Sequence, residues 1–301
     1  MQHSENVFDP PPILIAGDSE AALDRAARTI TAAGLRIGDR VGLEQAPERI
    51  DGQVAASALW VELDSDRGAP MDRLIDHVNR DAGDGRYPAI IAAPAELIDA
   101  IEARLTDGRV EVVVDGDDAT RSAALAVALS ETGRPSRLSD VASDRNAARL
   151  RQLSDEVSRI ASTLARLSTG PAATARPTER PPATGDLPDV SADLVRSVIR
   201  ARRLRARYFD EDMFADPAWD MLLDLLQAEI AQLRVPVSSL CIAAAVPATT
   251  ALRWLKTMTQ QGLFVRRADP HDGRRVFVEL APETSQALRR YFGEVGRPVV
   301  V

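Results

Sequence analysis

Four arginines crowd one short stretch of this 301-residue chain. GLFVRRADPHDGRRVFVEL, Gly262 to Leu280, carries Arg266 and Arg267 on one side of a turn and Arg274 and Arg275 on the other. Guanidinium groups make charge-assisted, often bidentate hydrogen bonds to phosphate or carboxylate. Just upstream, PATTALRWLKTMTQQ (Pro247 to Gln261) adds Thr249, Thr250, Arg253, Lys256 and Gln260, and no acid occurs from Pro247 to Val265. Hydrogen-bond donors with net positive charge suit phosphates and base edges. An ordinary solvated helix face would carry some Glu or Asp. The chemistry expected here is recognition of a polyanion, not bond making.

The elements that must hold these residues can be read from the surrounding pattern. Pro217 to Leu233 is an amphipathic helix that starts at a favoured N-terminal proline. Val237 to Ala245 is a short helix of small and apolar residues. Pro247 to Gln261 is a third, with proline in its first turn and Gly262 as its stop. Two short helices joined by a tight turn suit a helix-turn-helix. Leu263 to Arg267 and Val276 to Leu280 then pair as a hairpin, giving a winged helix. Helical spacing predicts that Ala251, Trp254, Leu255 and Met258 pack inward, with Thr249, Arg253, Lys256 and Gln260 on the opposite side. The helix start at Thr249 and Thr250 also offers free N–H groups to a phosphate. At the wing tip, Asp269 and Asp272 would repel a polyanion if they pointed outward. An Asp272–Arg274 pairing that orients the tip is expected instead.

Over Val237 to Glu283, about a sixth of the chain, the sequence resembles the winged-helix core of MarR-type (multiple-antibiotic-resistance) transcription regulators. The matching residues are VPATTALRWLKTMTQQGLFVRR and DPHDGRRVFVELAPE. The resemblance implies that Asp272 and Arg274 are the wing-tip aspartate and arginine and that Thr249 to Gln260 lies on the recognition helix. Those regulators dimerise and bind ligands through helices flanking the winged helix. Here that role is expected to fall to the heptad segment, residues 145–168, and the N-terminal domain, and the family's ligand pocket is not carried over.

The N-terminal part follows a different rhythm. Strand-like runs at Ile13 to Gly17, Ser57 to Leu63, Ala89 to Ala93 and Val110 to Val114 alternate with helix-like runs at Ser19 to Gly34, Met71 to Asn79, Ala95 to Leu105 and Asp118 to Ser130. A weak strand near Arg40 to Leu43 completes five units. This alternation predicts a parallel sheet covered on both faces, in an α/β domain over residues 10–132. The stretches ILIAGDSEAAL and LWVELDSDRGAPMDRL resemble a response-regulator receiver, with Asp64 at the position of a phosphoacceptor. Three departures follow. Gly17-Asp18 offers a single acid where a Mg²⁺-binding pair is needed, Ala92-Ala93-Pro94 replaces the Thr or Ser, and Asp115 replaces the Lys. The expectation is a receiver-like (flavodoxin-like) module that has lost its chemistry and serves for contact or dimerisation.

No enzyme signature stands against this reading. GxGxxG and GxxxxGK[ST] are both absent. His3, His77 and His271 lie far apart, without metal-ligand spacing, so neither metal nor cofactor is expected. Cys241, the single cysteine, sits in an apolar helix and reads as a small core residue.

Between the two parts, Leu150, Leu153, Val157, Ile160, Leu164 and Leu167 are spaced 3, 4, 3, 4, 3. That is the seam of a two-stranded coiled coil over residues 145–168, the expectation here; the alternative is one amphipathic helix packed on its own domain. Residues 169–190 are rich in Pro, Ala and Thr and read as a linker. Residues 191–301 form the winged-helix domain. Its first helix bears six arginines between Arg196 and Arg207, which fit a solvated face as well as a phosphate-binding one.

The formal charge of −8 argues against bulk affinity for nucleic acid, but it is unevenly spread. Residues 191–301 hold 16 Lys and Arg against 13 Asp and Glu, leaving 21 against 32 elsewhere, so the C-terminal part is net positive and the rest strongly acidic. MQHSENVFDPPP has no apolar core for a signal peptide, and no run approaches the ~20 residues of a membrane span. The sequence therefore predicts a cytoplasmic, nucleoid-associated, bacterial-type regulator that binds double-stranded DNA as a homodimer, with a protein partner for its N-terminal domain. The alternative is an adaptor whose winged helix contacts protein.

Overall fold

The computed structural model describes residues 11–106, 109–132 and 187–295. They belong to one compact unit, which the chain builds from both sides of residues 134–186. The six heptad residues Leu150 to Leu167 and nearly all of the 169–190 linker lie outside the described residues.

The N-terminal part is a five-stranded parallel sheet: β1 (Ile13–Gly17), β2 (Ile37–Gly42), β3 (Ala58–Glu62), β4 (Ala89–Ala93) and β5 (Val110–Val114), in the order β2-β1-β3-β4-β5. This doubly wound order puts the loops after β1 and β3 side by side at the carboxyl edge of the sheet. Every residue of β1, β3 and β4 is buried, which explains their unbroken apolar runs. Alternate side chains feed two cores. Ile13, Ile15, Trp60, Ile90 and Val113 meet α1 (Glu20–Ala32) and α5 (Asp118–Thr132) on one face. Leu14, Leu59, Val61 and Ile91 share the other core with α2 (Ala46–Asp51), α3 (Ala69–Gly83) and α4 (Ile98–Glu102).

Local chemistry starts and stops these helices. The Ser19 hydroxyl caps α1 by accepting from the Ala22 N–H at 3.0 Å. The weak strand is longer than its sequence suggested. It pairs with β1 in a register that shifts between Ile13 and Leu14, and its IGDRVG alternates half-buried and exposed as an edge strand should. The short helix α2 gave no periodic signal because it spans only six residues. The helix expected over Ala95 to Leu105 is shorter, a 3₁₀ turn at Ala95–Leu97 running into α4.

The C-terminal part contains α6 (Ala192–Leu204), α7 (Pro217–Ile230), β6 (Val235–Pro236), α8 (Val237–Ala243), α9 (Ala248–Gln260), β7 (Phe264–Ala268), β8 (Val276–Leu280) and α10 (Pro282–Val295). The strands form an antiparallel sheet in the order β6-β8-β7. Helix, strand, two helices and a hairpin, in that order, are the expected elements of a winged helix. Gly262 joins α9 to β7 at φ +72°, so any other residue would strain this turn by about 1 kcal/mol.

One expectation about α9 fails. Trp254 is 41% exposed, and Leu252 is buried in its place beside Ala251, Leu255 and Met258. Leu252 turns toward Leu105, Val110 and Val112 of the α/β part. A single hydrophobic core therefore continues from the sheet into α8 and α9, taking in Val112, Val114, Leu240, Leu252 and Leu255.

Candidate nucleic-acid interface

The helix α9 and its wing are held by the packing just described, and the donors predicted from sequence divide into two groups. One group faces the α/β part. Thr249 is only 3% exposed. Its hydroxyl accepts from the Val114 N–H at 2.9 Å and lies 3.4 Å from the Val114 carbonyl. Strand β5 is an edge strand, and Thr249 satisfies backbone groups that no neighbouring strand pairs. Arg253 donates to Glu111 of β5 through Nε at 2.6 Å and Nη2 at 2.5 Å. Arg266 Nη1 lies 3.0 Å from the Glu102 carboxylate, and Nη2 reaches the Glu102 carbonyl. Lys256 borders the same cleft. Burial pushes the Glu102 carboxyl above its ordinary value against the opposing pull of Arg266 and Lys256. Arg274 Nη2 contacts Asp66 at 2.8 Å and Asp72 at 3.4 Å.

The other group is less covered, although Gln260 lines the same cleft as Lys256. Gln260 is exposed and Thr250 half-buried. Arg267 and Arg275, each with a side chain 63% exposed, lean on Glu279 and Asp272 at 3.4 and 3.3 Å.

Asp272 orients the tip differently from the pairing expected. Its Oδ1 accepts from the backbone N–H of Arg274 at 2.9 Å, while the Arg274 guanidinium leaves for Asp66 and Asp72. Asp269 accepts from the His271 N–H at 2.9 Å in the same manner. Both aspartates thus make short local turns that compete well with longer-range pairing.

Several partners at this contact had no role in the sequence reading, among them Glu102, Glu111, Asp72 and Asp99. Ser238 of α8 donates its hydroxyl to Asp99 at 2.6 Å, and its N–H donates to the same carboxylate at 3.0 Å. A signal existed for one of them. Glu111 is the lone charge in an otherwise apolar VEVVV strand.

The carboxyl edge of the parallel sheet carries the other candidate, Asp64. The Asp18 side chain is fully buried and accepts from the N–H groups of Asp64 and Ser65, each at 3.0 Å. Asp64 accepts from the Ser19 hydroxyl at 2.5 Å and pairs with Arg25. Burial alone would raise its pKa, but Ser19 and Arg25 together outweigh it and hold the carboxyl below its ordinary value. Arg25 also reaches Glu62 at 3.1 Å, and Arg121 grips Glu62 with two bonds of 2.7 Å. Asp115 occupies the end of β5 at φ +46°. Three guanidiniums, those of Arg25, Arg67 and Arg121, thus crowd this edge, and both oxygens of Asp64 are engaged.

Folding also assembles a group that sequence spacing hid. His77 Nε2 lies 3.3 Å from Asp51 and 3.7 Å from Asp81. Arg86 Nη1 lies 3.3 Å from both of these carboxylates, so the cluster already contains its cation.

Arg274 holds the Asp66 carboxyl below the usual carboxylate range, with help from the Gly68 N–H. A lowered folded-state pKa means that the pair's contribution is present above the ordinary Asp value and lost as pH falls through the lowered one. In an NMR titration, Arg274→Ala should move the Asp66 pKa upward, and an unmoved value would show that the contact is not made in solution.

Two solved structures are similar to part of this chain. One is the Bordetella bronchiseptica protein BpsR, described for regulation of its DNA binding by 6-hydroxynicotinic acid, at 20% identity over 34% of this chain and 73% of that one, with a TM-score of 0.22. The other is the transcriptional regulator Tm0710 from Thermotoga maritima, at 18% identity over 35% of this chain and 79% of that one, with a TM-score of 0.21. No family model matches the chain. No curated protein matches it either. A likeness of this extent leaves function to be argued from the residues themselves.

Proposed function

We propose that this protein is a transcription regulator that binds double-stranded DNA as a homodimer through its winged helix. One observation carries the reading. A helix following a tight turn presents Arg253, Lys256 and Gln260 without an acid on its own segment, and a hairpin with Arg267 and Arg275 exposed stands beside it. In this reading Thr249, Thr250, Arg253, Lys256 and Gln260 meet the major groove, and Arg266, Arg267, Arg274 and Arg275 meet the backbone or minor groove. Asp272 orients the wing. The α/β part is a receiver-like module that has lost phosphotransfer and takes a protein partner or signal. The site of action is the bacterial cytoplasm, at the nucleoid.

The test is binding of the full-length protein to a genomic fragment library across salt concentrations. A dimeric regulator enriches a palindromic site and loses affinity steeply as salt rises. No enrichment at low salt would end the DNA reading. Arg275 isolates the wing because its guanidinium pairs with Asp272 of the wing and, among the described residues, with nothing in the α/β part. Arg275→Ala is expected to weaken binding by about 1–3 kcal/mol, and equal affinity would remove the wing tip from recognition. The dimer rests on the 145–168 heptads. Val157→Asp with Leu164→Asp should leave a monomer in light scattering, whereas a persistent dimer would place the interface elsewhere.

A second reading has its own observation. In this chain the same helix face packs on protein and shares a hydrophobic core with it. A winged helix used as a protein-contact adaptor would show this packing too.

A further inference from the structure

We propose that the acidic face of the α/β part is a built-in competitor for DNA: it occupies the reading face of α9 and the inner side of the wing, so the chain is closed to DNA until the two separate. The inference rests on the DNA reading above and adds its regulation.

The argument begins with which donors are covered. Of the residues proposed to read DNA, Thr249, Arg253, Arg266 and Arg274 each have a partner in the α/β part. These partners come from β5, α4 and the loop after β3, so the contact is a surface and not one chance bridge. The chemistry imitates that of DNA. Carboxylates at 2.5–3.0 Å take the guanidiniums as phosphates would, and a strand edge takes the Thr249 hydroxyl. The charge split between a net positive C-terminal part and an acidic remainder is the sequence-level trace of this complementarity. Beneath the polar contacts lies a shared apolar core, so closure does not depend on surface charge alone.

The closure also has a handle. Asp18 fixes the N–H groups of Asp64 and Ser65, and Asp66, next in line, holds Arg274. This loop lies at the carboxyl ends of the strands, where open α/β sheets bind their ligands. A group that moves the loop therefore acts directly on the wing.

A closed majority lowers apparent DNA affinity by the fraction that is open. Two full-length variants loosen the contact without touching a reading residue: Asp66→Asn with Glu111→Gln, and, at a separate point, Ser238→Ala, which keeps the Asp99 charge beside the thiol. Two measurements are made on each. The first is affinity for the same DNA fragments at one low salt concentration. The second is the labelling rate of Cys241, the only cysteine, which lies one turn along α8 from Ser238 and its Asp99 bond. Burial, with Glu102 and Asp99 nearby, pushes that thiol up to about 12, so the closed form labels slowly.

The expected result is faster labelling together with roughly tenfold tighter DNA binding, the effect of removing two partly exposed charge pairs. Should the double variant fail to fold, judged by its melting curve, Ser238→Ala carries the same test. Faster labelling with unchanged affinity would overturn the proposal, because DNA would then use another face. Unchanged labelling and affinity would overturn it too, since the contact would not open. Faster labelling in proteins that never bind DNA would defeat the DNA reading and the competition with it, leaving a releasable protein contact.

Discussion

Glu62→Ala should cost about 3–5 kcal/mol in denaturant unfolding, a large share of the stability of any domain. The reason lies in what remains. Glu62 is 1% exposed and accepts from Arg121, Arg25 and the Trp60 indole at 2.7–3.1 Å. Removing the carboxylate leaves the Arg121 guanidinium and the Trp60 N–H inside the protein without that acceptor. Glu62→Gln, which keeps an oxygen of the same shape, should cost less. If Glu62→Ala unfolds like the parent, the buried ion cluster at the sheet edge does not exist in solution.

The second large effect separates two neighbours on α9. Leu252→Ala should destabilise by about 2–5 kcal/mol, since Leu252 is 6% exposed and fills the junction between β5, α4 and α9. Trp254→Ala should cost far less, about 1 kcal/mol or under, because the indole is 41% exposed. Helical spacing alone orders these two the other way. A larger loss at Trp254 than at Leu252 would mean that α9 packs as an isolated winged helix and that the α/β part does not cover it. Thermal unfolding of the two variants decides the point before any DNA experiment.

These two predictions mark what was legible in the sequence. Unbroken apolar runs such as ILIAG and AIIAA specify strands buried on both faces, and their alternation with helices requires a parallel sheet. Pro247 and Gly262 bound α9 through backbone geometry that needs no tertiary partner. Asp269 and Asp272 shape the wing tip by bonds within two residues. All of these are local effects, and a linear pattern records local effects.

What faces what was not local. An amphipathic helix declares one apolar stripe, but α9 is buried on two sides, once by its own three-helix core and once by the α/β part. Leu252 and Thr249 belong to the second side, which no periodicity in residues 247–261 reveals. The acids that meet Arg253, Arg266 and Arg274 stand more than 140 residues away in sequence. Carboxylates on a sheet edge look like ordinary solvated charge until the fold brings a guanidinium to them. Most of the elements, and the positive charge gathered on α9 and its hairpin, follow from the linear pattern. That this face is covered emerges only on folding, because the cover comes from a distant segment whose charge and apolar surface match it in space and nowhere adjoin it along the chain.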